Sequence, residues 1–129
     1  MLLKTVLVLA AGVIAGGSIV HELHAQMKPP AYQIAIIDVK DDAGYKQAVA
    51  DVRKRISEMG GKFIVSAGAG GGTGQLTSPT GDRANRVVVT EWANIDTANK
   101  WWAEAGEKDI KALSQHATLH LYTAEALSK

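Results

Sequence analysis

The sequence predicts an α+β fold in which two helices cover one face of a four-stranded antiparallel sheet. Two observations lead to this prediction. Segments rich in β-branched residues alternate with amphipathic segments in the order strand, helix, strand, strand, helix, strand. The chain has 129 residues, which allows one domain behind a short leader and leaves no room for a second. Two strand–helix–strand halves in this order give the split arrangement called ferredoxin-like.

The N-terminal segment predicts a secretory signal peptide over residues 1–25. One positive charge, Lys4, precedes the apolar run from Thr5 to Val20, and Ala25 is the small residue that a cleavage site requires. The run is shorter than the roughly 20 residues that span a bilayer, so we expect cleavage after Ala25. The protein is then periplasmic or secreted, and it meets a membrane only through this segment if the segment stays uncleaved. The alternatives are a buried N-terminal helix and an uncleaved anchor.

A proline-bearing linker, residues 26–30, leads into the predicted domain, residues 31–124. Tyr32 to Val39 is rich in β-branched residues and predicts a buried strand. The following helix, from Ala43 to Met59, has apolar residues at spacings of four, three, four and three: Tyr45, Val49, Val52, Ile56 and Met59. Asp41 or Asp42 can cap this helix, and Gly60-Gly61 can end it. Its basic residues are expected to form a solvated face: Lys46, Arg53, Lys54 and Arg55.

The second half repeats the pattern. Lys62 to Ala67 predicts a strand, residues 68–85 a glycine-rich hairpin loop, and Arg86 to Trp92 a third strand. Asn94 begins a second helix, and Trp101 and Trp102 are among its apolar residues. Adjacent side chains on a helix point about 100° apart, so the two tryptophans cannot both lie at the centre of the core. We therefore expect one tryptophan to pack on the sheet and the other to cover a rim. We expect Gly106 to break or kink this helix, Thr118 to Thr123 to form the last strand, and residues 125–129 to be a tail.

The two helices leave the other face of the sheet uncovered. Side chains alternate along a strand, so Leu119 and Leu121 share one face of the last strand and His120 and Tyr122 the other. If Val87 and Val89 lie under the helices together with the leucines, the open face presents Arg86, Val88, Thr90, Trp92, Thr118, His120 and Tyr122. Such a face is too apolar for water, and a second copy of the chain is the simplest partner. Burial under a long loop is the alternative.

Several stretches resemble a known family. They are Ala31 to Ala35 with Asp38, Tyr45-Lys46, Gly60 to Val65, Arg86 to Trp92, and Ala98 to Trp102. Together they resemble the domain-of-unknown-function family 1330, over roughly residues 31–122. That family belongs to the dimeric α-β barrel superfamily, in which two ferredoxin-like sheets face each other around a cavity. The resemblance therefore implies a homodimer. The sequence departs from the family pattern in its long glycine-rich loop and at residues 114–116, where an arginine is usual.

Composition and motifs exclude several classes of chemistry. The formal net charge is +1 without a basic stripe, so we expect no nucleic-acid partner, and the chain has no cysteine for disulfides. The loop from Gly68 to Gly74 joins two strands and lacks the spacing of a phosphate cradle. His116 and His120 are four apart but one lies on a predicted strand, so we expect no metal site. No serine-nucleophile or paired-carboxylate pattern occurs, and we expect no cofactor.

The remaining candidates point to the cavity between two sheets. We predict that the protein binds a small apolar or aromatic ligand there, with Arg86, Thr90, Trp102, His120 and Tyr122 as ligand-binding candidates. His120 is an acid, base or ligand contact in this hypothesis, and a hydrogen-bonded interface residue otherwise. One alternative is an enzyme in the same cavity, either a cofactor-independent or haem-linked monooxygenase or an isomerase-like enzyme, for which Asn94, Trp102 and His116 offer the residue types. The other alternative is a structural interaction module. The sequence identifies no catalytic residue.

Overall fold

The computed structural model describes residues 28–128, so the predicted signal peptide and most of the linker lie outside the described residues. Strand β1 (Ala31–Val39) is followed by helix α1 (Asp42–Glu58) and by strands β2 (Lys62–Gly68) and β3 (Arg86–Trp92). Helix α2 (Ile95–Trp101) continues through a π-helical turn (Trp102–Gly106) into helix α3 (Glu107–Leu113), and strand β4 (Ala117–Glu125) follows. Within residues 28–128 no helix is both long and apolar enough to cross a membrane.

The four strands form one antiparallel sheet in the order β2-β3-β1-β4, which confirms the predicted ferredoxin-like fold. The register places Ile37 of β1 opposite Arg86 of β3 and Leu119 of β4. Residues that are paired across strands lie on the same face of the sheet. The pairing therefore decides which side chains of β3 and β4 share a face.

Both helical stretches cover one face of the sheet, and the hydrophobic core lies between them. Its largest fully buried side chains are Trp92, Trp101, Arg86, Tyr45 and Ile37. The helices begin at the predicted caps. Asp41 accepts a hydrogen bond from the Gly44 backbone N–H at 3.1 Å, and Asn94 accepts one from the Thr97 N–H at 2.9 Å.

The expectation that all basic residues of α1 form a solvated face is wrong for Arg53 and Arg55. The guanidinium of Arg53 lies over the Phe63 ring, 4.8 Å from its centroid. Arg55 donates through Nε and Nη2 to both carboxylate oxygens of Asp109, which is only 2% exposed. These contacts hold α1 against β2 and α3, because guanidinium groups stack on rings and form bidentate carboxylate pairs.

Of the two outcomes expected at Gly106, a break or a kink, the break does not occur, since the helix continues through this residue with a π-turn. A Cβ at this position would lie 2.6 Å from Trp102 Cε3 and 3.0 Å from Trp101 Cζ3, so the glycine makes room for both rings. Trp101 packs inward at 1% exposure, with its ring 6.2 Å from that of Trp92, whereas Trp102 is 42% exposed. The expected division of roles between the adjacent tryptophans is confirmed.

The loop between β2 and β3 folds back on the sheet edge instead of extending from it. The backbone N–H groups of Thr73 and Gly74 both donate to the Ser66 carbonyl, and the Gly70 N–H donates to the Asp42 carboxylate at 2.7 Å. A carboxylate at the loop amide opposes the binding of a phosphate there. The loop therefore closes the end of the core beside the first turn of α1.

Candidate functional site

A pocket lies between the sheet and the helices. Its walls come from all four strands below and from α1, α2 and α3 above, and its volume is about 50 Å³. Most of the wall is apolar: Ala35, Ile37, Val49, Val52, Ile56, Val88, Ile110, Leu113, Leu119 and Leu121. Polar atoms enter it from a few side chains only. A mostly apolar wall with a few polar groups is typical of small-molecule sites.

Arg86 is the most unusual side chain in this pocket. It begins β3, yet it is 1% exposed and lies beneath α1. Its Nη1 donates to the Ala69 carbonyl at 2.9 Å and its Nη2 to the Ser66 hydroxyl at 3.2 Å. The guanidinium also lies 5.4 Å from the centroid of the Tyr45 ring. Its Nε is buried and has no hydrogen-bond partner among the described residues.

Trp101 supplies a second buried donor to the same pocket. Its indole Nε1 has no partner within residues 28–128. The neighbouring Trp92 differs, because its Nε1 donates to the Gln33 side-chain oxygen at 2.9 Å. Gln33 in turn donates to the Thr123 hydroxyl at 3.2 Å. Buried polar groups are almost always paired, and the two described residues with an unpaired N–H group both line this pocket.

The pocket offers little for proton transfer. Its lining contains no histidine, aspartate or glutamate among the described residues. Burial raises the pKa of the Tyr45 hydroxyl, which keeps this side chain neutral near pH 7. Arginine stays protonated at the same pH. The pocket is therefore suited to holding a molecule more than to general acid–base chemistry.

The opposite face of the sheet carries a second set of side chains. Ile36 lies between Val87 and His120 in one cross-strand row, and Ile34 lies between Val89 and Tyr122 in the next. Several of these are exposed, with Ile36 at 38% and Tyr122 at 56%. At one end of this face, Ile36, His120, Asp38 and Arg83 border a depression of about 320 Å³.

The structure divides the five predicted ligand-binding residues among three places. Arg86 and Thr90 are buried under the helices and line the pocket. His120 and Tyr122 lie on the open face, as the alternation in β4 predicts. Trp102 borders a groove along its own helical segment, away from both. The ligand-binding role of each residue stays a prediction, but the five do not form one site.

The expected orientation of β3 is wrong. Arg86, Val88, Thr90 and Trp92 face the helices, and Val87, Val89 and Glu91 face outward. Valines occupy both faces of this strand, so the alternation alone does not distinguish them. Trp92 was the better signal, since burying its large ring stabilises the fold by more than burying a valine does. Arg86 and Thr90 also lie under the helices, because every second side chain of a strand lies on the same face and these residues are six and two positions from Trp92.

The residue types proposed for an oxygenase-like site do not meet in this fold. Asn94 caps α2, and the groove that Trp102 borders includes neither of the other two residues. The His116 Nδ1 lies 3.0 Å from an Asp41 carboxylate oxygen, at the start of α1. Within residues 28–128 no three side chains of metal-ligating type converge.

Tyr45, Gln33 and Trp101 complete the pocket, and the sequence interpretation did not select them as site residues. Tyr45 and Trp101 occupy the apolar stripes of their helices, where a core role is the ordinary expectation. Gln33 is buried at 4% exposure, and it alternates along β1 with Ala31, Ala35 and Ile37. A polar residue on an otherwise apolar face was the signal that the sequence offered.

Comparison with solved structures supports the fold. A protein of unknown function from Rhodopseudomonas palustris, RPA0582, matches with a TM-score of 0.55 and 13% identity, covering 87% of this chain and 94% of that one. SnoaB, a cofactor-independent oxygenase from Streptomyces nogalater, matches with a TM-score of 0.54 and 14% identity, covering 78% of this chain and 96% of that one. At such identities the likeness is one of fold. No curated protein matches the sequence.

The family is established by a direct match of the sequence. The model of the family described as "Domain of unknown function (DUF1330)" matches residues 30–125, which cover the sheet and all helices. The resemblance seen in the sequence is thereby confirmed, and the chain belongs to the DUF1330 family.

Proposed function

We propose that this protein binds a small, largely apolar molecule with an oxygen acceptor, in the pocket between its sheet and its helices. The observation that carries the proposal is that two residues lining one apolar pocket, Arg86 and Trp101, each hold a buried N–H donor without a partner among the described residues, at Nε and Nε1. An unpaired buried donor costs about 1–3 kcal/mol, which a bound acceptor recovers. This location replaces the cavity between two sheets as the preferred site, because Arg86 and Thr90 face the helices.

Binding is better supported than catalysis. The described residues that line the pocket include no histidine, aspartate or glutamate that could remove or supply a proton. The fold that this chain shares with SnoaB does not transfer that protein's oxygenase activity. Oxygen consumption with quinols and phenols tests the enzymatic alternative, and turnover that depends on Trp101 would favour it over simple binding.

NMR of the indole N–H groups tests the binding proposal. The panel consists of small ketones, phenols, amides and carboxylates. We expect at least one class to shift the Trp101 signal saturably while the exposed Trp102 signal stays in place. Ala35→Val, which adds two methyl groups to the pocket wall, should abolish the shift. The control Ala124→Val makes the same change on the other face of the sheet and should preserve it. No shift with any class, or shifts that persist in Ala35→Val, would contradict the proposal.

We further propose that the protein is a homodimer that pairs through the open face of the sheet. The cross-strand rows around Ile34 and Ile36 support this, since the helices within residues 28–128 cover the other face. A second copy is the partner that presents the same face at the same concentration. Ile36→Lys should give a monomer by size-exclusion chromatography with light scattering. The control Ala112→Lys on exposed helix α3 should leave the dimer intact, and a monomeric wild-type protein would contradict the proposal.

The predicted signal peptide supports a periplasmic or secreted location for this binding. Mass spectrometry of protein from the periplasmic fraction should give a mature N-terminus at Gln26. A chain that still begins at Met1 and fractionates with membranes would show instead that the segment is an anchor.

A further inference from the structure

Arg86 carries a buried positive charge that forms no direct ion pair with a carboxylate of the described residues, although Asp42 is near enough to interact with it electrostatically. None of the ion pairs within residues 28–128 includes it. The nearby Asp42 carboxylate is exposed and is already bound to the Lys46 ammonium and the Gly70 N–H. Buried arginines are ordinarily paired, because a desolvated charge without a partner is costly.

The pocket itself supplies no anion. Tyr45 stacks against the guanidinium, but burial keeps its hydroxyl protonated near neutral pH. The two groups that accept from Arg86, the Ala69 carbonyl and the Ser66 hydroxyl, are neutral. The Nε–H remains without an acceptor. We infer that the ligand of this pocket is a short monocarboxylate whose carboxylate oxygen accepts the Arg86 Nε–H and neutralises the guanidinium.

The size and polarity of the pocket select this class of anion. A volume of about 50 Å³ holds roughly three to five heavy atoms, which is the size of acetate or propionate. The apolar wall suits an alkyl group and would leave most oxygens of a phosphate without donors. The one other cation in the lining, Arg53, is engaged with the Phe63 ring. A single unpaired cation in an apolar wall therefore matches a singly charged ligand with an apolar end.

This inference rests on the proposed function, and the experiment separates the two. Propionate, its neutral isostere propionamide and inorganic phosphate are titrated into the full protein, with the Arg86 Nε–H and Trp101 indole signals recorded by NMR. A charge-assisted hydrogen bond is worth about 1.5–3 kcal/mol, so propionate should bind about 10- to 100-fold more tightly than propionamide. Phosphate should not shift either signal.

Variants locate the effect at Arg86. Arg86→Met should abolish the preference for propionate over propionamide, and Arg86→Lys should reduce it, because an ammonium has a different donor geometry. Ala124→Val, on the other face of the sheet, should retain it. If Arg86→Met does not fold, the comparison of the two isosteres on the wild-type protein still decides the question.

The outcomes distinguish the two proposals. Equal affinity for propionate and propionamide would overturn the carboxylate inference and leave the binding pocket in place. Binding of phosphate in preference to propionate would also overturn it. Failure of propionate to shift Trp101 would overturn the carboxylate inference, and failure of the whole panel of ketones, phenols, amides and carboxylates would refute the pocket itself.

Discussion

Gly106→Ala tests how the π-turn shapes the pocket. An added Cβ would meet Trp102 Cε3 at 2.6 Å and Trp101 Cζ3 at 3.0 Å, both closer than ordinary contact. Trp102 is half-exposed and can turn away, but Trp101 is buried against Trp92 and cannot. Overpacking a core costs about 1–3 kcal/mol, and alanine is favoured over glycine in a helix by about 1 kcal/mol. We expect a net loss of about 1 kcal/mol in the free energy of unfolding.

Urea denaturation gives the free energy of unfolding, and near-ultraviolet circular dichroism reports on the packing of the tryptophans. The variant should show both a lower midpoint and a changed aromatic spectrum. The control Ser114→Ala lies just past the end of α3. A Gly106→Ala protein that gains about 1 kcal/mol and keeps its aromatic spectrum would refute the role given to this glycine, because helix propensity alone predicts that gain.

Two further predictions concern ion pairs of the helices. Arg55→Met leaves the buried Asp109 carboxylate without its partner. Removing one partner of a fully buried ion pair costs about 3–5 kcal/mol, but Arg55 is half-exposed, so we expect urea denaturation to show a loss of about 2 kcal/mol in the free energy of unfolding. An unchanged denaturation midpoint would contradict this expectation. The hydrogen bond from the Gly44 N–H and, second, the contact with His116 lower the pKa of the Asp41 carboxyl. Asp41 therefore stabilises the fold above its unfolded pKa near 4, and this stabilisation is lost as the pH falls through the lower folded pKa. Denaturation curves across that range should depend less on pH in Asp41→Ala, and an equal pH dependence in both proteins would count against the cap.

The elements of the fold were predictable because their patterns are local. The apolar spacing of α1 and the caps at Asp41 and Asn94 locate the helices, and the third strand was predicted with its observed bounds. The orientation of β3 was harder to predict. Val87, Val88 and Val89 give this strand two apolar faces, so the valines do not show which face carries Arg86; the large ring of Trp92 was the signal, and the register confirms it by placing Arg86 opposite Ile37 of the core.

The candidate site was predictable in its residue types but not in its location. Arg86 and Thr90 were selected, yet as members of an open face. An arginine buried at a strand terminus is rare enough that exposure is the ordinary expectation. The π-turn could not be predicted from the sequence either. A glycine within a helix ordinarily indicates a break, and only the positions of Trp101 and Trp102 show why Gly106 is needed here. Contacts distant in sequence decide both features.

The most direct test of a binding pocket between sheet and helices is a crystal structure of the full protein grown with propionate. We predict a carboxylate oxygen about 3 Å from Arg86 Nε, with the alkyl end against the apolar wall. Propionate bound on the open face of the sheet, with the Arg86 pocket closed by its own side chains, would contradict the account.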